Sequence, residues 1–393
     1  MSTPIILSLL MPTRNRSEYL PAGVKFFLNS HREDIELIVC DASDTHTQCL
    51  EVLLPWSSDS RLKIIDNSVL ATGKLTSMTD NWSRALDAAQ GQWICIIGDD
   101  DVLDPNIVLF IELLEKIAPN IPAISWHKAH FDLDISTPRA AKVPIGNQIM
   151  AVAGRESVIK QSTWPNLKKP PSSLASPYHG AVRLSVLKQI KAQRGGKWFN
   201  FRIPDYDHGW TVCYISERFI LSERPFSITG VSPKSNSYSV RNHSKRVEYL
   251  GNWSNESKTI DGWGETNDSF LFTLPMTCLG FRNAFCQFND ISTQVQLENF
   301  IGTIKNSLMN QEDEESFAQH QHQSIEWLQK NFAQDFGISQ LSFIPIPFDV
   351  MSGIVGQKIL MSNTLFDGDI YKFATTAFGM VRPVRFLFDN VRT

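Results

Sequence analysis

The order of elements predicts an α/β fold: a mainly parallel, doubly wound sheet flanked by helices, followed by a mostly helical portion. Three observations predict it. Apolar runs at Ile5–Leu10, Ile35–Cys40 and Trp93–Ile97 have the length and composition of buried strands. Segments with helical apolar spacing, Tyr19–Asn29 and Ser77–Gln90, lie between those runs, the arrangement that builds a parallel sheet. Beyond about residue 240 the alternation gives way to longer amphipathic segments.

The first strand, Ile5–Leu10, ends at Met11-Pro12-Thr13-Arg14-Asn15-Arg16, and the helix Tyr19–Asn29 follows. Asp34–Cys40 is a second strand stopped by Asp41-Ala42-Ser43-Asp44, and Arg61–Asp66 a short third. In Ser77–Gln90, Met78, Trp82, Ala85, Leu86 and Ala89 share one helical face, with Gly91 the expected stop. Pro105–Ile117 reads as a helix with proline in its first turn, and Ala123–Phe131 as a further strand. Asp132–Pro177, rich in Pro, Ser and Lys, is expected to form loops over one face of the sheet, where binding residues concentrate. Tyr178–Val182 and the helix Ser185–Gln193 restore regular structure. The expected division is 1–240 and 241–393, the second part carrying Leu271–Phe288, Val295–Leu308 and Ser316–Phe332, with Gln311–Gln323 as a solvated helix face.

A net charge of −4 without a basic block interleaved with aromatics argues against nucleic acid as a partner and for small-molecule chemistry. The six cysteines lack paired metal-ligand spacing, which fits packed thiols in a reducing, cytoplasmic setting. Ile5–Met11 is too short for the apolar core of a secretory leader, and no run approaches the ~20 apolar residues that span a bilayer. The tail Tyr371–Phe388 mixes aromatics with Lys372, Arg382 and Arg385 and is expected to pack on its own domain, peripheral membrane contact being the competing reading. No Gly-x-Ser-x-Gly elbow, phosphate loop or dinucleotide glycine signature is present, which argues against hydrolase, NTPase and dehydrogenase chemistry.

Gly98-Asp99-Asp100-Asp101 follows directly on the strand Trp93–Ile97. Adjacent carboxylates at a strand tip repel one another unless a cation lies among them, and a hard ion such as Mg²⁺ or Mn²⁺ carrying a substrate phosphate is an economical answer. A solvated acidic turn is the plainer alternative. Pro204-Asp205-Tyr206-Asp207 supplies a second acidic centre, with capping of the following helix as its plainer role.

Pro12-Thr13-Arg14-Asn15-Arg16, Val39-Cys40-Asp41-Ala42-Ser43, Asn81-Trp82 with Arg84, and Gly98-Asp99-Asp100-Asp101 recur in an order that resembles the inverting family 2 glycosyltransferases of the GT-A fold, over about the first 240 residues. The resemblance implies a nucleotide-sugar-binding catalytic domain there. It gives the nucleoside to Asp41 and to Thr13 and Arg14, and the diphosphate to Lys74 and Ser77 at the start of a helix. It gives the ribose or donor sugar to Asp99 and a Mn²⁺ or Mg²⁺ ion to Asp100 and Asp101, with Gly98 standing where many relatives carry the first aspartate. Asp205 becomes the general base, Asp207 the reserve, and Trp198, Tyr206 and Trp210 an aromatic wall for a sugar. His179 and the loop Ser232–Ser237, with Arg241 and His243, are further candidates near the acceptor and diphosphate.

The implied activity is transfer of a monosaccharide from a nucleoside-diphosphate sugar to a hydroxyl of a glycan or lipid-linked acceptor, with inversion, in cell-surface polysaccharide or glycan synthesis. Two rivals are a nucleotidyltransferase, which would release pyrophosphate, and a non-catalytic sugar-nucleotide- or glycan-binding module.

Overall fold

The computed structural model describes residues 4–136, 139–235, 241–251, 259–265, 268–344 and 353–388. Its first sheet is built around β1 (Leu7–Thr13), a strand buried on both faces. β1 pairs in parallel with β2 (Ile35–Asp41) on one side and β4 (Trp93–Ile96) on the other, and β2 pairs in parallel with β3 (Leu62–Asp66). Chain direction across the sheet therefore reverses at the β1/β4 boundary, the switch point where open α/β sheets leave a crevice beyond the strand ends.

The other half of this eight-stranded sheet is mixed. β10 (Gly180–Arg183) lies antiparallel between β4 and β6 (Ala123–Trp126), β11 (Arg218–Ser222) is parallel to β6, and β9 (Ile149–Ala153) closes the edge antiparallel. A second, six-stranded sheet runs β15 (Gly353–Val355), β16 (Lys358–Ser362), β8 (Ala140–Pro144), β7 (Ala129–Asp132), β12 (Ser227–Val231) and β5 (Val102–Leu103).

Apolar side chains on one face of the first sheet, among them Leu7, Leu9 and Met11, pack under α1 (Leu20–Leu28) and α5 (Ile107–Ile117). Leu10, Ile38 and Ile94 on the other face meet α4 (Met78–Ala88), α7 (Leu184–Gln193) and α8 (Pro204–Ile215). Burial on both faces explains why these strands read as unbroken apolar runs. Gly91 serves a purpose other than the expected helix stop: α4 ends at Ala88 with Ala89 as its cap, and a side chain at 91 would collide with the backbone of Ser8.

The run read as one strand, Ala123–Phe131, divides into β6 and β7, which join different sheets on either side of His127-Lys128. The stretch expected to be loops, Asp132–Pro177, contains β8, β9 and α6 (Gly154–Ser162). β8 forms because β16, more than 200 residues later, supplies five register partners.

The division at residue 240 meets a similar outcome. The helices α10 (Leu274–Phe288), α11 (Leu297–Met309) and α12 (Glu314–Phe332) share a core of their own with Trp164. Residues 353–388 instead return to the first part: β15 and β16 extend its second sheet, and Phe373, Ala374 and Ala377 of the helix Ile370–Met380 pack on Ala129, Phe131 and Ile228. Gln311 and His320, placed on a solvated face by composition, are buried. Among the described residues no helix is long and apolar enough to cross a membrane.

Candidate active site

Parallel pairing brings the ends of β1, β2 and β4 to one edge, and there the acid run meets Thr13. Thr13 Oγ1 donates to Asp99 Oδ2 at 2.6 Å. Arg16 reaches across: its Nη2 lies 2.8 Å from Asp99 Oδ1 and 2.5 Å from Asp100 Oδ2. Ser232 Oγ donates to the same Asp100 oxygen at 2.8 Å. Asp99 Oδ1 and Arg16 Nε are buried without a directed hydrogen bond, so the guanidinium neutralises this pair without saturating it.

Burial raises the pKa of Asp99 against the pull of Arg16, and burial together with Asp101 raises that of Asp100. Arg16 itself is held above its ordinary value: burial works against its charge, and the three carboxylates outweigh it.

Asp101 is differently placed. Its Oδ1 accepts the Gly230 N–H at 2.8 Å, and its Oδ2 accepts the Gly98 N–H at 2.6 Å and lies 3.0 Å from His179 Nε2. The Tyr178 hydroxyl adds a longer contact of 3.5 Å. Burial opposes ionisation here, yet His179 and the two backbone N–H groups outweigh it and hold this carboxyl below the usual range. His179 is kept neutral by burial, and its Nδ1 lies 2.8 Å from Ser227 Oγ, which in turn accepts the Trp126 indole N–H at 2.8 Å. The network assigns the remaining imidazole proton to Nε2, directed at Asp101. His179 adopts a left-handed φ of 51°, a strained conformation that its fixed partners hold in place. Asp101, expected to bind metal beside Asp100, is thus an anchor of the run, and Asp99 and Asp100 are the carboxylates that face Arg16.

Asp41 is also fully occupied. Ser43 donates to its Oδ1 through N–H (3.0 Å) and Oγ (2.5 Å), and His46 Nδ1 lies 2.8 Å from Oδ2. Both oxygens are therefore engaged by neighbouring residues, and the side chain has no exposed surface. Asp41, His46 and Cys49 offer ligand atoms within 4.8 Å of one another. Burial, followed by Asp41, pushes the Cys49 thiol well above its ordinary pKa.

The other predicted positions surround this edge. Arg14 is partly exposed on the loop after β1. Lys74 is exposed just after the left-handed Gly73, and Ser77 caps α4 by accepting the Asp80 N–H at 3.1 Å. One turn into that helix, Asn81 Nδ2 donates to the carbonyls of Thr13 (3.3 Å) and Cys40 (3.0 Å), which fixes the α4 N-terminus above the ends of β1 and β2. Arg84 is exposed. Of the loop Ser232–Ser237, Ser232 holds Asp100 and Lys234 pairs with Glu18 at 2.5 Å, while Asn236 and Ser237 lie outside the described residues.

The second acidic centre separates its two aspartates. Asp207 is fully buried, accepts the backbone N–H groups of Asn200 (2.7 Å) and Phe201 (2.9 Å), and pairs with Arg194 at 2.5 Å. It clamps the 194–201 loop. Asp207→Ala leaves Arg194 buried and unpaired and is expected to cost about 3–5 kcal/mol, read as a lowered midpoint in chemical denaturation.

Asp205, at the first turn of α8, keeps exposed surface. Burial raises its pKa, opposed by Lys128. Lys128, at the break between β6 and β7, is stabilised as a cation by Asp205 and Asp101 against the effect of burial, and Tyr178 is held well above its ordinary pKa by burial, followed by Asp101, Asp100 and Asp205. Of the expected aromatic wall, Trp210 is fully buried, its indole donating to the Ser172 carbonyl at 2.8 Å, and Trp198 is 4% exposed; only Tyr206 keeps appreciable exposed surface. Arg16 was legible as part of the motif after β1 and Ser232 as part of a candidate loop, but their contacts with the acid run were not. Lys128 carried no sequence signal, because its position depends on a strand break.

An acid run at the switch point of an open α/β sheet, with a further carboxylate on a separate helix, is what the resemblance to family 2 glycosyltransferases implies. The sequence model of Glycosyl transferase family 2 matches residues 8–190, and that stretch is a domain of this family. Over 97 residues the chain is 30% identical to a GalNAc(5)-diNAcBac-PP-undecaprenol beta-1,3-glucosyltransferase of Campylobacter jejuni, a match covering 25% of this chain and 30% of that relative. Solved structures similar to it include S. aureus TarS 1-349 in complex with UDP-GlcNAc, at 11% identity, a TM-score of 0.41 and coverage of 85% and 89% of the two chains. A mannosyltransferase from Pyrobaculum calidifontis, in complex with GDP-Man and Mn2+, is 12% identical with a TM-score of 0.40 and coverage of 78% and 88%.

Proposed function

We propose that the chain is an inverting, divalent-cation-dependent glycosyltransferase that moves a monosaccharide from a nucleoside-diphosphate sugar to an acceptor hydroxyl in glycan synthesis. The observation that carries the reading is the separation of roles between the acidic groups: Asp101 and Asp207 are consumed by structural donors, leaving Asp99 and Asp100 to face a cation and Asp205 to face an acceptor. One lone carboxylate opposite the leaving-group site suits a single displacement, in which it takes the acceptor proton as the hydroxyl attacks.

Oxygen ligands and an unsaturated Asp99 oxygen suit Mg²⁺ or Mn²⁺, which when bound neutralises charge on the departing nucleoside diphosphate. Arg16 shares that neutralising role. The N–H groups of the α4 N-terminus with Lys74 would receive phosphate oxygens, and the Thr13–Arg14 loop with His46, which Asp41 orients, would bound the nucleoside. A lipid-linked acceptor would bring the chain to the inner face of a membrane. Contact there would fall to exposed Ile354, Val355, Leu365, Met380 and Phe386 of the C-terminal segment, while Phe373, Ala377 and Leu387 face the core.

Release of nucleoside diphosphate from a panel of UDP-, GDP- and dTDP-sugars should depend on Mn²⁺ or Mg²⁺ and stop in EDTA, with an inverted anomeric centre seen by proton NMR of the product. Release of pyrophosphate, or donor binding without turnover across a broad acceptor panel, would replace this reading with one of its rivals.

A further inference from the structure

Asp41 and His46 form a pair at the end of β2 whose geometry sets the polarity of what can meet it. Ser43 holds one side of the carboxylate by donating to Oδ1 through its N–H and Oγ, while His46 Nδ1 lies 2.8 Å from Oδ2 on the other. Ser43 is itself fixed. Its Oγ accepts the Asn15 N–H at 2.7 Å and its carbonyl accepts the Val69 N–H at 2.9 Å, so the carboxylate cannot turn without breaking a network that ties three loops together.

An ionised carboxylate only accepts, which assigns the proton of the neutral imidazole to Nδ1 and leaves Nε2 with its lone pair. Nε2 hydrogen-bonds to nothing among the described residues. The Asp41 side chain has no exposed surface, whereas 13% of the His46 side chain is exposed, so a ligand meets this pair at the imidazole and not at the carboxylate.

The pair also stands in register with the acid run. Thr13 is the β1 partner of Asp41, and Thr13 Oγ1 donates to Asp99 beyond the end of β4. The ends of β2 and β4 are two strand spacings apart, about 10 Å, a span that a nucleoside covers between its diphosphate and the edge of its base.

We propose that His46 reads the nucleobase of the donor through Nε2, with Asp41 as the positioning residue that fixes its tautomer. An acceptor there pairs with a base that presents a ring N–H, as uracil and thymine do at N3 and guanine does at N1. Cytosine N3 and adenine N1 bring a second lone pair against it. This inference rests on the glycosyltransferase reading and adds the residue that selects the base, together with the class of base it takes.

The test is isothermal titration of the full chain at pH 8, with millimolar Mn²⁺, against UDP, dTDP, GDP, CDP and ADP. UDP or dTDP should bind at least about tenfold more tightly than CDP, or GDP than ADP, because the mismatched base leaves both lone pairs unpaired. His46→Asn keeps a donor for Asp41 in place of Nδ1 but has no outer nitrogen; it should reduce that preference to less than about threefold and leave the unfolding midpoint unchanged. In Asp41→Asn the two Ser43 donors hold the amide oxygen, the amide N–H₂ turns to His46 Nδ1, and the ring proton moves to Nε2. The preference should then reverse towards CDP or ADP. A wild-type preference that survives His46→Asn or Asp41→Asn overturns the proposal, as does equal binding of both bases by the wild-type chain. Those results would leave the glycosyltransferase reading standing, whereas failure of all five nucleotides to bind would remove that reading and this inference with it.

Discussion

Asp205→Asn is expected to leave donor binding intact and to reduce transfer to the acceptor by at least about a hundredfold, since the amide cannot take the proton of the attacking hydroxyl. The substitution is nearly isosteric at a partly exposed position in the first turn of α8, so the unfolding midpoint should barely move. Titrating the donor analogue UDP into the variant in the presence of Mn²⁺, beside transfer kinetics, separates the two effects. Transfer at the wild-type rate would move the base elsewhere. Asp207 is a poor substitute, because its oxygens already hold Arg194 and two backbone N–H groups.

Arg16→Met should make folding depend on a divalent cation. The substitution removes the group lying within 2.8 Å of both Asp99 and Asp100 and leaves two buried carboxylates facing each other. Removing one partner of a buried ion pair typically costs 3–5 kcal/mol, so in EDTA the thermal midpoint should fall by many degrees. Millimolar Mn²⁺ should restore most of the loss in the variant and much less in wild type, where the guanidinium already supplies the charge. A midpoint in Arg16→Met that ignores Mn²⁺ would show that these carboxylates do not hold the ion.

The same groups set a pH dependence. Burial raises Asp99 and Asp100 above their unfolded value of about 3.9, so between the unfolded and folded values the native state holds more protons than the unfolded chain. Metal-free stability is present below the unfolded value and declines as pH rises through the folded ones. Added Mn²⁺, which binds the deprotonated pair, should offset that decline.

Local patterns disclosed much of this protein. The strands β1, β2 and β4 and the helix α4 were legible because burial on two faces leaves continuous apolar runs, and one buried helix face leaves a repeating stripe. The acid run and Asp205 were legible because charges at a strand tip and at a helix start are local facts. His179 and Ser232 could be noticed as candidates, but their partners could not be read, since each bonds an aspartate tens to more than a hundred residues away.

The sequence by itself determined that an α/β sheet would present clustered carboxylates at the end of one strand and a second acidic pair later in the chain. Only the tertiary structure decided which oxygens are free. Asp101 and Asp207 carry the same side chain as Asp100 and Asp205, yet Gly230, His179 and Arg194 arrive from distant elements to fill their lone pairs. Folding likewise returned residues 353–388 to the second sheet. Hydrogen-bond saturation and strand pairing over hundreds of residues depend on contacts that no local spacing encodes.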